Sequence, residues 1–293
     1  MKELLCCALL IGALSSAIVI AESPAPAADP STLYHGGPIL TMTGDEPTFA
    51  EALLEQNGNI VFVGPLAEAK KRVSKETTEF DLAGGTLMPG LIEPHLHPSL
   101  AAIMLQNEII APYDWKLPSG VKKGVSGEAN YRARVSESVK ANARPGELYL
   151  IWGYHQLWHG PLSRSVLNEI AGDQPVGIIH RSFHEIFLND AAIAQLGIKQ
   201  ADFDGNPQVD WAKGHFFEGG WLALVPRMAP DIMQPEKYLR GLATMSMILQ
   251  QNGITTIAEP GFPSANFDAE LALLMKEMER SPPYDVYLIP NGT

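Results

Sequence analysis

Met88-Pro89-Gly90-Leu91-Ile92-Glu93-Pro94-His95-Leu96-His97-Pro98 sets two histidines in alternation near the first third of the chain. In an extended strand, residues two apart point to the same face. His95 and His97 therefore share one side and Leu96 takes the other. Two imidazoles one pleat apart can both reach a divalent ion at about 2.0–2.1 Å, a distance suited to Zn²⁺. Glu93 falls on the same face, placed to orient a ligand imidazole. Pro89 and Pro98 bracket the strand, expected over residues 86–97.

Upstream of this stretch the pattern is short strands punctuated by turns. Strands are expected over 39–42, 50–56, 59–63 and 77–82, with a short helix over 66–73. Asn57-Gly58 is a strong hairpin signal between two of them. Residues 33–86 thus read as a β-sandwich portion. Downstream, strands over 148–152, 176–180, 254–258 and 286–289 alternate with helical patterns over 131–143, 163–170, 190–196, 235–252 and 268–280. Such alternation implies an α/β region with a parallel sheet over residues 87–293. About five such strands are found where a closed (β/α)₈ barrel has eight. The expectation is therefore a partial (β/α)₈ barrel, either open or belonging to a longer sequence.

The N-terminus reads differently. Lys2 precedes an apolar run over residues 4–20, shorter than the roughly 20 residues that span a bilayer as a helix. Val19-Ile20-Ala21 places small residues as a secretory cleavage site requires. Residues 1–21 are expected to be a signal peptide and 22–32 a flexible, Pro/Ala-rich leader. The mature protein would be secreted or periplasmic, without stable membrane insertion. Both cysteines, Cys6 and Cys7, would leave with the signal.

Composition narrows the function. The 293-residue chain is 46% hydrophobic, 18% charged and carries a formal charge of −12. It can build a sizeable core, and its acidity argues against nucleic-acid binding, which relies on clustered Lys and Arg. The sequence contains no G-x-S-x-G elbow, P-loop or G-x-G-x-x-G turn. His155-Gln156-Leu157-Trp158-His159 has zincin spacing, but Gln156 cannot act as the general base. Trp115, Trp152, Trp158 and Tyr154 suit either an apolar substrate pocket or the core. Glu259, just after the strand over 254–258, either approaches a metal or caps the turn at Pro260-Gly261.

The ordered set of motifs resembles amidohydrolase family 3, the branch that includes N-substituted formamide deformylase-like enzymes. It comprises the stretch at 88–98, Ile151-Trp152-Gly153-Tyr154, His180-Arg181-Ser182-Phe183-His184, Leu188-Asn189-Asp190, Phe217-Glu218 and Asn252-Gly253-Ile254-Thr255-Thr256-Ile257. The resemblance implies a hydrolase with one or two divalent ions, usually zinc, that activate a water against an amide-like C–N bond of a small molecule. It implies His95 and His97 as metal ligands, and His184 and Glu218 as substrate-binding residues. For these last two, a packed loop histidine and a solvated carboxylate are the plain alternatives. The family's general-base Asp and remaining ligands would lie beyond Thr293, so the resemblance also implies a truncated active site. A binding protein built on an incomplete barrel, or a metal-dependent hydrolase of C–O bonds, are the competing readings.

Overall fold

A computed structural model describes residues 30–264 and 266–290. The expected signal peptide and most of the expected leader lie outside the described residues. The described chain divides into two compact units, one up to Pro89 and one from Gly90.

The first unit is one sheet. It comprises β1 (Ser31–Leu40), β2 (Phe49–Gln56), β3 (Asn59–Gly64), the short helix α1 (Leu66–Ala69) and β4 (Thr78–Asp81), in the order β3-β2-β1-β4. Asn57 and Gly58 turn β2 into β3 with φ of 51° and 77°, the left-handed pair that the Asn-Gly signal predicts. Leu33, Ala52 and Leu54 bury one face against Ala69 of α1. The pairing shifts one expected boundary. Pairing begins at Ser31, which sits opposite Gln56, so residues 31 and 32 are strand rather than flexible leader. The described residues of this unit form a single four-stranded sheet.

The second unit opens with β5 (Leu91–Glu93), α2 (Pro98–Leu105), β6 (Glu108–Ile109) and the hairpin β7 (Trp115–Leu117) and β8 (Gly120–Lys122). It continues through α3 (Glu128–Asn142), β9 (Tyr149–Tyr154), α4 (Gln156–His159), α5 (Arg164–Ala171), β10 (Val176–His180), β11 (Glu185–Leu188) and α6 (Asp190–Gln195). After β12 (Val209–Asp210) and β13 (His215–Phe217) come α7 (Gly219–Leu222), α8 (Val225–Ile232), α9 (Pro235–Gln251), β14 (Ile254–Phe262), α10 (Phe267–Met278) and β15 (Asp285–Pro290).

Strands β9, β10 and β15 and the longer helices fall close to their expected positions, but the assembly differs. The five expected strands do not share one sheet. Strands β9 and β10 belong to a six-stranded sheet, β12-β13-β11-β10-β9-β6, whereas β5, β14 and β15 form a separate parallel sheet in the order β15-β14-β5. Only four residues separate β10 from β11. That is too short for a crossover, so β11 returns antiparallel and makes the larger sheet mixed. The fold is mixed α/β, with no closed barrel among the described residues.

The core of this unit lies where α2, α8 and α9 cover the sheets, with Ile179, Ile186, Met228, Tyr238, Leu242 and Ile257 all buried. Each fully buried side chain of this size contributes about 1.5–3 kcal/mol. Ser246 on α9 bonds Glu277 of α10 at 2.8 Å and Tyr284 at 3.0 Å, satisfying a buried carboxylate between the helices. No helix among the described residues is long and apolar enough to cross a membrane.

Helix α9 approaches α2 so closely that a Cβ at Gly241 would sit 2.1 Å from the Ala102 carbonyl oxygen. Gly241→Ala is expected to force the helices apart and destabilise the unit by about 1–3 kcal/mol despite alanine's better helix propensity. Urea unfolding of the two proteins measures the difference.

Candidate functional site

The strand expected over 86–97 is only three residues long, because Pro94 lacks the N–H that would extend the ladder. Beyond it the chain stays tied to β14 through Leu96 N–H, which donates to Ala258 O at 2.9 Å. His97 is the N-cap of α2, with Pro98 at the first helical position. The two imidazoles nevertheless come together, with ring centroids 5.1 Å apart and planes at 86°. Glu93 does not reach a ring. Its carboxylate accepts the backbone N–H of His95 at 3.1 Å and so shapes the turn that carries both histidines.

Burial, reinforced by the neighbouring His95, lowers the pKa of His97. The ring is held neutral at physiological pH, the form that offers a lone pair to a metal. The pair is chemically suited to a borderline-soft cation such as zinc. Among the described residues, no group of three or more His, Cys, Asp or Glu side chains is placed to hold a metal. Two imidazoles alone fall short of the three protein ligands that a catalytic zinc usually takes.

Behind this turn lies a buried carboxylate that the sequence marked without assigning. Glu259 is fully buried on β14, on the same face as Ile257, and both its oxygens lack a hydrogen-bond partner. Ser99, in the first turn of α2, donates instead to Glu270 at 2.6 Å. Glu270 also receives the backbone N–H groups of Ser264 and Asn266. Burial, then the charge of Glu270, pushes Glu259 up to about 7, while Ser99 pulls weakly the other way. Tyr238 of α9 is buried beside the same group, and its phenol is raised by burial.

His184 and Glu218, singled out separately in sequence, form one pair. His184 Nδ1 lies 3.1 Å from Glu218 Oε2, and Glu218 N–H donates to His184 O at 2.9 Å. The Glu185–Phe217 register between β11 and β13 brings them opposite each other. Both side chains are more than half exposed.

The aromatic candidates sort differently. Trp152 and Tyr154 are core residues, and Trp115 packs edge-on against Trp152 at 5.0 Å. A cavity of about 250 Å³ is instead walled by Phe183 and Trp221, together with aliphatic side chains of α2 and α8. Neither aromatic is marked as a pocket residue in sequence: Phe183 is only part of a family motif, and Trp221 a single aromatic after two glycines. The His155–His159 spacing is structural. His159 is buried, receives His155 N–H at Nδ1, contacts Val125 O through Nε2 and stacks on Tyr131 at 4.0 Å. Asn189 is a buried cap, accepting from Val176 N and Ala192 N.

The sequence profile described as the amidohydrolase family matches residues 78–282. The chain belongs to the amidohydrolase family. Over 168 residues it is 29% identical to protein LONG AFTER FAR-RED 3 of Arabidopsis thaliana, covering 57% of this chain and 26% of that protein. Over 156 residues it is 28% identical to N-substituted formamide deformylase of Arthrobacter pascens, covering 51% and 26%. A solved uncharacterized metal-dependent hydrolase from Pyrococcus horikoshii superposes with a TM-score of 0.63 at 19% identity, over 89% of this chain and 48% of that one. The matches thus span about a quarter of the length of these curated relatives and about half of the solved structure.

Glu259 yields a stability prediction. Its folded pKa, about 7, exceeds the ordinary 4.5, so the native state favours the protonated form. That contribution is complete below the ordinary value and is lost as pH rises through about 7. Glu259→Gln keeps the neutral shape at all pH values. It should flatten this part of the pH dependence. At pH 8 it should be the more stable protein by a few kcal/mol, since a tenfold change in proton affinity corresponds to about 1.4 kcal/mol. Urea midpoints between pH 5 and pH 8 check it, and parallel curves for the two proteins would contradict it.

Proposed function

We propose that the protein is a zinc-dependent hydrolase acting on an amide-like C–N bond of a small molecule, with His95 and His97 as metal ligands. The observation that carries this reading is the convergence of the two rings, 5.1 Å apart, at the C-terminal end of β5 in an all-parallel sheet. Catalytic groups in such sheets gather at the C-terminal ends of the strands. The parallel run β5-β14-β15 would be one arc of a (β/α)₈ barrel. The name of the Arthrobacter pascens relative supports C–N chemistry. The apolar run at the N-terminus supports export to the periplasm or beyond.

A divalent ion bound here supplies Lewis-acid activation of water and of a carbonyl group. The chain's own residues prepare that chemistry. Glu93 fixes the backbone of His95, and the first turn of α2 fixes His97 through the Ala101 N–H bond to its carbonyl oxygen. Burial keeps His97 neutral. At the second pair, Glu218 accepts a hydrogen bond from Nδ1–H of His184, which leaves Nε2 to face a polar group of the substrate.

His95→Ala and His97→Ala should each reduce bound zinc, measured by elemental analysis after dialysis, to the background of the double variant. Hydrolysis of N-alkylformamides by the full-length protein should fall in step, while the matching formate esters report any C–O activity. Unchanged zinc content in the double variant would overturn the ligand assignment.

A further inference from the structure

The segments that carry the candidate site also wall an apolar cavity. Leu100 and Ile103 lie on α2 directly after His97, and Phe183 directly precedes His184. Trp221 and Leu222 of α7 follow Glu218 by a few residues, and buried Met228 of α8 also lines the cavity. The cavity holds about 250 Å³ and its surface is predominantly apolar. A dry apolar cavity of roughly 150 Å³ is already enough to bind benzene.

Phe183 is the anomaly in this wall. Its φ is +62°, a backbone conformation that glycine adopts readily and a bulky aromatic residue rarely does. The turn that imposes it is well fixed. Phe183 N–H donates to His180 O at 3.0 Å, and buried His180 holds Ser182 through Nδ1, 2.7 Å from its Oγ. The ring is braced on Trp152 at 5.7 Å. Strain of this kind persists only where the surroundings over-determine it, and an observed outlier is grounds for a functional hypothesis.

We propose that this cavity receives the apolar portion of the substrate, a neutral group about the size of a single aromatic ring, and that Phe183 limits its length. The inference rests on the hydrolase reading for the word substrate, but the cavity's occupancy can be measured without any reaction. Toluene and biphenyl serve as probes, because neither has a metal-binding atom or a scissile bond.

With the full chain carrying ¹³C-methyl methionine and no added metal, toluene should shift the Met228 methyl resonance, assigned from Met228→Leu. Biphenyl should bind at least about tenfold more weakly. Phe183→Gly, which suits the left-handed backbone and opens the wall, should erase that preference. Phe183→Leu, which keeps a branched side chain there, should largely retain it. Leu222→Trp, at a site 62% exposed and tolerant of bulk, should obstruct toluene. An unmoved Met228 signal, or an unchanged probe preference in Phe183→Gly, would overturn the proposal. If the probes behave as stated but amides are not hydrolysed, the hydrolase reading fails and the pocket stands.

Discussion

The backbone of residues 90–97 is held against β14, and the second unit is organised around that contact. Leu91 N–H donates to Gly253 O, Leu96 N–H donates to Ala258 O, and the β5–β14 ladder runs between them. Gly90 allows the approach, since a Cβ there would fall 2.0 Å from Thr255 Oγ1 and 2.7 Å from the Thr255 Cβ. The partners are far apart in sequence, and everything between them must fold and return for the contact to close. Closing a long segment costs entropy only slowly with length. A whole sheet and its helices can therefore be accommodated between β5 and β14. Hydrogen bonds between backbone groups cannot slide in register without turning every side chain to the other face. This pairing thus determines where the turn bearing His95 and His97 emerges.

The same junction concentrates polar groups that a core would ordinarily exclude. Ser99, Tyr238, Glu259 and Glu270 all come together beneath the N-terminus of α2. Glu270 is well supplied with donors, from Ser99 and from the loop at Ser264 and Asn266, and so ties that loop to the helix. Glu259 is not. An unpaired buried carboxylate is costly when ionised, and the helix N-terminus, with its partial positive charge, offsets only part of that cost. The arrangement sacrifices stability at alkaline pH next to the element that His97 caps. A purely structural core has no need of a carboxyl in that place; a hydrophobic side chain of similar volume would be expected to serve better.

Much of this fold is legible in the sequence. The bounds of β10 coincide with those its residues predict, the Asn57-Gly58 hairpin follows from turn chemistry, and the longer helices lie within a few residues of their periodic patterns. Local signals of this kind depend on neighbours in the chain. Sheet membership does not. Nothing local in 148–152 or 176–180 distinguishes a strand beside β6 from one beside β5, and the four-residue turn after His180 decides the matter only once Glu185–Leu188 is recognised as a strand. The histidine pair at 95 and 97 is visible because both imidazoles sit in one short segment. The pairing of His184 with Glu218 requires the antiparallel register of β11 and β13, a long-range fact. Likewise, the brevity of β5 follows from Pro94, whose missing N–H is invisible to a count of alternating residues.

Phe183 illustrates a different limit. From sequence it is one more aromatic residue between two histidines, and its side chain alone would place it in the core. What marks it is a conflict between side chain and backbone, since the turn from β10 into β11 asks for glycine and receives phenylalanine. Sequences that specify a fold well are locally consistent with it, and departures from that consistency tend to gather where function is served. In a simple hairpin turn, glycine at position 183 would relieve the backbone at no loss to either strand. Phenylalanine there is explained by what its ring does, which is to close one wall of a cavity whose other walls continue from His97 and follow Glu218. The strain and the cavity are therefore two aspects of one feature, and residues adjoining those of the candidate site in sequence line it.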